Sequence, residues 1–279
     1  MQLFKTKEGN ILRVDGKSYM VDGNWDLLIN QKDLHKHLSG LAKGTPFNET
    51  DADKMIASGV LAPIGTQEVW AAGVTYLRSR DARMEESKDS GGDFFYSKVY
   101  AADRPELFFK ALSHRVVGTG GEVRIRKDST WDVPEPELTL FINSEGSIQG
   151  YTAGNDMSSR SIEGENPLYL PQAKMYEGSC ALGPCLFVPS QPISTETNIS
   201  ITIHRKAKTV FDATIQLNRM KRQLPELASW LFKELKFANG CYMMTGTGLV
   251  PGNDFTLKPG DVVAISIDGI GILRNVVGA

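Results

Sequence analysis

W-D-V-P-E-P-E-L-T-L-F-I, residues 131–142, joins two carboxylates to an apolar, β-favouring run. Glu135 and Glu137 stand two apart, and in a strand residues i and i+2 point to one face, about 7 Å apart along the chain. Carboxylates held that close in a folded core repel each other, and their pKa values rise. A hard divalent cation removes the repulsion, and oxygen-only ligands at roughly 2.0–2.1 Å suit Mg2+. Downstream, G-Y-T-A-G-N-D-M-S-S-R (150–160) ends another short strand-like run near Asp156, which offers a third oxygen donor. The expectation is a carboxylate-bound metal ion at the centre of an active site. Taken alone, the pair around Pro136 also fits a solvated sheet edge, and Asp156 with Arg160 also fits a turn and a surface ion pair.

Working outward, E-V-W-A-A-G-V-T-Y (68–76) reads as a buried strand, and a domain boundary is expected just before it, near Thr66. The expected division is a small N-terminal domain, residues 1–66, and a catalytic domain, residues 67–279. In the first part, I-L-R-V-D and S-Y-M-V-D are short β-like pieces followed by turns at Gly16 and Gly23. A short helix is expected within Leu27 to Lys43, and residues 44–65 carry Gly, Pro and mixed polarity. Arg78 to Ser90 has helical composition and dense charge. The apolar run L-F-F-K-A-L (107–112) precedes a polar turn and the strand-like G-E-V-R-I-R. Residues 199–216 read as a hairpin around a basic turn. Pro225 to Phe237 reads as a helix with Leu227, Trp230, Leu231 and Leu235 on one face, and the tail from Leu257 as two strands joined at Asp268-Gly269. The fold class is mixed β (α+β), with few helices.

Composition excludes several functions. The 279 residues carry a net charge of −2, with 41% hydrophobic and 23% charged residues. That balance is ordinary for a globular protein and gives no basic surface for nucleic acid or anionic membrane. No apolar run reaches the ~18 residues that span a bilayer, and the N-terminus lacks the apolar core of a signal peptide. Three irregularly spaced cysteines, Cys180, Cys185 and Cys241, make no disulfide framework. Buried free thiols and a cytoplasmic location are expected.

Further strings carry a resemblance: G-V-T-Y (73–76), R-P-E-L-F-F-K (104–110), E-P-E, G-Y-T-A-G-N-D-M-S-S-R, A-L-G-P, M-T-G-T-G and the closing L-K-P-G-D-V-V…G-I-G-I-L-R-N-V-V. Each is weak, but their order is specific. Over roughly residues 68–279 the chain resembles the fumarylacetoacetate hydrolase superfamily. The resemblance implies a β-roll with a central cavity behind a small N-terminal domain, and a homodimer or homotetramer. It also implies that Glu135, Glu137 and Asp156 are the metal ligands, for Mg2+ with Mn2+ as an alternative.

One departure narrows the activity. Hydrolytic members usually carry a His shortly after the G-x-N-Y-type string, where it activates water; here Leu77, Arg78, Ser79 and Arg80 follow. Loss of such a base costs about 10²–10⁴ in rate. G-V-T-Y-L-R-S-R-D-A-R is instead similar to the sugar-acid dehydratase branch. That likeness implies a lyase removing water from a 2-keto-3-deoxy sugar acid, such as 2-keto-3-deoxy-D-arabinonate to 2,5-dioxopentanoate, through a metal-stabilised enolate. It also implies that Glu106 and Lys174 are the proton-transfer groups and that Thr247 contacts substrate. Arg80 and Arg160 are candidates to hold the substrate through their donor forks, and Ser79 and Asp81 to read its hydroxyls. Glu106 also fits an ion pair with Lys110 at helical spacing, and Arg78, Arg80 and Arg83 also fit an exposed helix face. Two other functions share the residues: a hydrolase or decarboxylase cleaving a C–C bond of a diketo acid, and a non-catalytic binding or assembly protein.

Overall fold

The structure, a computed structural model, describes residues 1–86 and 93–278, without the side chains of Glu86 and Asp93. The stretch that opened the sequence reading forms the centre of the molecule. Pro136–Ile142 is a strand buried at every residue, and it pairs antiparallel with Ile148–Asp156, Glu137 opposite Gly154 and Pro136 opposite Asn155. A ten-stranded sheet grows from this pair. On one side it continues through Cys180–Phe187, which also pairs with the short strand Val116–Val117, to Gln2–Thr6, Gly9–Val14 and Lys17–Val21; on the other through Cys241–Met244 to Glu68–Gly73 and Glu106–Leu112. A second sheet of five strands runs in the order Lys208–Gln216, Asn198–Arg205, Val262–Ile267, Gly271–Gly278, Glu122–Arg124. The fold is a mixed α/β arrangement of large sheets with eight α-helices among the described residues.

Period-2 alternation decides what each face does. Leu138, Leu140 and Ile142 join Ile199, Ile201, Ile203, Val263 and Ile265 in the core that unites the two sheets. Phe141, Leu182, Leu186, Tyr242 and Met244 belong to a second core, which Trp25, Leu28, Ile29, Leu34 and Leu38 of the N-terminal helices cover. Glu137 shares the odd-numbered face with Phe141, so its carboxylate leaves the sheet on this second side.

The hairpin expected at 199–216 forms, its turn made by Lys206 and Ala207 at φ 48° and 61°. The tail forms the expected strand pair. The helix expected over Leu27 to Lys43 is two helices, Trp25–Ile29 and Leu34–Leu41, broken where Asn30 donates to the Ala238 carbonyl and Asp33 caps the second. Residues 44–65, of mixed polarity in the sequence, contain the helix Glu49–Gly59; Asn48 accepts from the Asp51 N–H and caps it. The helix expected over 225–237 is Leu224–Leu231. Beyond it the Phe237 ring packs on Phe232 and Trp70, turning the chain and leaving Leu235 exposed. The expected helix at 78–90 is Leu77–Glu86, and its last four residues lie outside the described residues. Cys180, Cys185 and Cys241 are buried free thiols. Among the described residues no helix is long and apolar enough to cross a membrane.

Candidate active site

Two strand ends build the acidic centre. Glu135 precedes Pro136–Ile142, Glu137 lies one residue inside it, and Asp156 closes Ile148–Asp156. The Asp156 N–H donates to the Glu135 carbonyl at 3.0 Å, which sets the two chain segments side by side. All three side chains are buried, and one carboxylate oxygen from each lies within 4.8 Å of the others. The solvated sheet edge is thereby excluded.

Three cations meet these carboxylates. Lys174 Nζ is 2.6 Å from Glu135 Oε2 and 3.1 Å from Asp156 Oδ2. Lys110 pairs with Asp156 Oδ1 and donates to the Met157 carbonyl at 3.1 Å. Arg160 Nη2 is 2.8 Å from Glu135 Oε1. Glu137 instead accepts the Gly246 N–H at 2.6 Å. Gly246 sits at φ +90°, and a Cβ there would lie 2.0 Å from Thr75 Oγ1, so glycine is what brings this amide to the carboxylate.

The charges answer accordingly. Burial, then Asp156 and Glu135, push the Glu137 carboxyl well above its ordinary range. Burial also raises Glu135, against the pull of Lys174. Burial would raise Asp156 too, but Lys110 and Lys174 outweigh it and hold it low. Burial disfavours the Lys174 ammonium, yet Asp156 and Glu135 overcome this and keep it charged.

The residues fit a hard divalent cation. The donor set is three converging carboxylates with no nitrogen or sulfur, suited to Mg2+ or Mn2+. Glu137, whose charge is disfavoured by burial and by both neighbours, is the member that a cation would relieve most.

A small cavity of about 10 Å3 touches Glu135, Glu137, Asp156 and Lys174, and its wall includes Ser79, Arg83, Phe108, Gly246 and Thr247. Of the residues singled out in the sequence, Ser79 and Thr247 thus reach the acidic centre. Glu106 is carried beside it by the strand Glu106–Leu112: a Cβ on the wall residue Gly73 would lie 1.9 Å from Glu106 Oε2. Burial raises the Glu106 carboxyl, opposed chiefly by Arg83. Because Glu106 is in a strand, its helical-spacing pairing with Lys110 does not form; Glu106, Phe108 and Lys110 share one strand face instead. Arg160 is no surface residue but a buried partner of Glu135. Arg80 and Asp81 do not reach the cavity. They pair with each other at 2.6 Å, half-buried, and Arg80 stacks on Tyr100.

Sequence reasoning missed Lys110, Arg83 and Glu163, all buried. The exposed helix face that Arg78, Arg80 and Arg83 also fit holds for Arg78 and not for Arg83, which pairs with Glu163 and packs on Tyr96. A period-2 reading of E-L-F-F-K would have found Lys110. Backbone conformation adds Val74, a wall residue at φ 54°, a conformation that costs a β-branched residue on the order of 1–3 kcal/mol. A larger cavity, about 790 Å3, lies elsewhere between Asp33, Tyr151, Pro192 and Leu217 and contains none of the candidate site residues.

A sheet-bound cluster of three carboxylates with a lysine at its centre defines a class, and sequence comparison agrees. Residues 69–278 match the family described as "Fumarylacetoacetate (FAA) hydrolase C-terminal", and the chain belongs to that family. Within it, the chain is 46% identical over 224 residues to the "Probable 2-keto-3-deoxyxylonate dehydratase" of Haloferax volcanii, covering 80% of this chain and 76% of that protein. It is 42% identical over 217 residues to the "2-dehydro-3-deoxy-D-arabinonate dehydratase" of Saccharolobus solfataricus, covering 77% and 72%. A solved structure of "2-keto-3-deoxy-D-arabinonate dehydratase complexed with magnesium and 2,5-dioxopentanoate" superposes with a TM-score of 0.84 at 32% identity, over 100% of this chain and 99% of that one.

Proposed function

We propose that this protein is a Mg2+-dependent dehydratase of a 2-keto-3-deoxy sugar acid, such as 2-keto-3-deoxy-D-arabinonate, giving 2,5-dioxopentanoate and water. The observation that carries the reading is the buried convergence of Glu135, Glu137 and Asp156, in a chain 42–46% identical to proteins named as such dehydratases.

In this reading Glu135, Glu137 and Asp156 hold the ion. When bound, it supplies a Lewis acid that two oxygens of a 2-keto acid can chelate, which makes the C3 protons acidic. Glu106 is the base for C3: its Oε2 is buried without a hydrogen-bond partner and is open to accept a proton. Lys174, kept as an ammonium, is the acid for the departing C4 hydroxyl. The hydroxy-enone left after loss of water is an isomer of 2,5-dioxopentanoate: moving one C5 proton to C3 gives the C4–C5 enol, and moving the enol hydroxyl proton to C4 gives the aldehyde. Ser79 and Thr247, on the cavity wall, are the substrate contacts. Arg160 donates to Glu135 and acts on the substrate through it, whereas Arg80 and Asp81 would need to leave each other to reach it. The cavity, about 10 Å3, has the room of one water-sized particle, so a five-carbon acid enters only when the wall side chains give way. Residues 1–66 form a small N-terminal unit beside the catalytic region 67–279, a division supported by where the family match begins. A cytoplasmic homodimer or homotetramer belongs to the same proposal and rests on the family resemblance and the buried free thiols.

The test is incubation of the Mg2+-loaded protein with a 2-keto-3-deoxy pentonate and, separately, with a diketo acid. Appearance of an aldehyde from the first is expected. Release of two shorter acids from the second, with no aldehyde from the first, would make the protein a hydrolase.

A further inference from the structure

The cavity wall at the acidic centre has an apolar strip that the chemistry above does not use. Ala72, Gly73 and Val74 supply it from the end of the strand Glu68–Gly73, and Phe108 completes it from the neighbouring strand Glu106–Leu112. Phe108 stands two residues from Glu106, so both side chains leave one face of that strand, about 7 Å apart along it. The centre of the Phe108 ring is also 5.8 Å from Lys174 Nζ. The ring therefore neighbours both the group assigned to take a C3 proton and the group assigned to protonate the C4 hydroxyl. The polar wall residues have little left to offer. Ser79 Oγ donates to the Tyr76 carbonyl at 2.8 Å and accepts the Tyr76 N–H at 3.2 Å. Thr247 Oγ1 donates to the Leu249 carbonyl at 3.2 Å and accepts the Leu249 N–H at 3.1 Å. A hydroxyl has one proton and two lone pairs, so each keeps one acceptor position. Those two positions match the two hydroxyls, on C4 and C5, of a 2-keto-3-deoxy pentonate. Arg83 and the Lys174 ammonium are donors only.

We propose that Phe108 is a specificity-determining residue: its ring lies against C3 of the substrate and restricts turnover to acids with a methylene at that carbon. The inference rests on the dehydratase reading, with Glu106 as the base. Besides its bonds to C2 and C4, C3 carries two substituents. One faces Glu106 and must be the hydrogen that is removed; the other faces the ring. A hydroxyl in the first position would donate to Glu106 Oε2, which is buried without a hydrogen-bond partner, and would leave no hydrogen there to abstract. A hydroxyl in the second position meets a ring that neither donates nor accepts. Productive binding of a 3-hydroxy acid thus buries an unpaired hydroxyl, and an apolar surface rejects an added hydroxyl by about 10²-fold.

The test compares kcat/KM for a 2-keto-3-deoxy pentonate with that for the 2-keto pentonate bearing a C3 hydroxyl, in Mg2+-loaded wild type, Phe108→Leu and Phe108→Ser. Loss of the C3 proton and the C4 hydroxyl turns the second acid into a 2,3-dioxo acid and water, so both reactions can be followed. The ratio of kcat/KM values leaves out acid that binds unproductively through Glu106, and comparison between variants cancels the intrinsic reactivity of the two acids. A wild-type ratio of about 10² or more in favour of the 3-deoxy acid is expected. Phe108→Leu, also apolar, should keep the ratio within about threefold. Phe108→Ser, which brings a donor, an acceptor and room for a water, should lower it about tenfold or more. A wild-type ratio near one, an unchanged ratio in Phe108→Ser, or an equal fall in Phe108→Leu and Phe108→Ser overturns the inference. Should Phe108→Ser fail to fold, Phe108→Gln, closer to the ring in volume, is read by the same outcomes. If the wild type dehydrates neither acid, the dehydratase reading fails and the inference falls with it; dehydration at a ratio that ignores these substitutions overturns the inference alone.

Discussion

Replacing Glu137 by Gln is expected to change stability in opposite directions with and without metal. Glu137 is 1% exposed, and its carboxylate lies within 4.8 Å of Glu135 and Asp156. At that separation two unit charges repel by about 3–4 kcal/mol at an effective dielectric near 20. Burial and these neighbours already favour the protonated form of Glu137, which relieves part of the repulsion. A net gain of about 1–2 kcal/mol is therefore expected for Glu137→Gln in EDTA. The carboxamide oxygen keeps the Gly246 N–H bond, so little packing changes. For a chain of this size the gain is a rise of roughly 2–8 °C in Tm. Saturating Mg2+, at about 100 times its Kd, adds about 2.7 kcal/mol to the wild type. The variant, with one of three anionic donors neutral, gains much less and loses turnover. Thermal unfolding of both proteins in EDTA and in Mg2+, with dehydratase rates alongside, reads every part of this. A lower Tm in EDTA, or an undiminished Mg2+ shift with full turnover, would refute the claim that Glu137 is a strained carboxylate relieved by a cation.

Three other outcomes follow from the same geometry. Gly73→Ala puts a Cβ where Glu106 Oε2 lies, 1.9 Å away, so kcat should fall by about 10²-fold or more while Mn2+ affinity is kept; wild-type kcat would show that Glu106 takes no part. Lys110→Met removes one of two ammonium partners of Asp156. Urea unfolding should show a loss of about 3 kcal/mol, the low end for a broken buried pair because Lys174 remains, and an unchanged midpoint would contradict the pairing. Removing metal with EDTA should abolish turnover, and either Mg2+ or Mn2+ should restore it, since both accept an all-oxygen set; activity that survives exhaustive chelation would exclude the metal-centred reading.

Local chemistry made much of this legible. Period-2 spacing alone put Glu135 and Glu137 on one face, and an apolar run after them required a buried strand, as Pro136–Ile142 is. The hairpin 198–216 and the C-terminal strand pair were likewise set by alternation and turn residues. The helix Glu49–Gly59 carried its own signal, an Asn48 cap with Glu49 and Asp51 in the first turn, but mixed polarity masked it. Arg83 carried no such signal. Three arginines within six residues of a charged helix look alike in sequence, and only the surrounding helices bury one and leave another exposed.

What the sequence determined by itself was the inventory: which carboxylates stand in register and which strands have one apolar face. Those follow from geometry within a few residues. Which cation answers which anion was decided only in three dimensions. Asp156 meets Lys110 from 46 positions away in the chain and Lys174 from 18. Glu163 reaches Arg83 only because the helices Leu77–Glu86 and Arg160–Glu165 pack against each other. Desolvation then turns those meetings into fixed charge states, and burial is a property that no local string encodes.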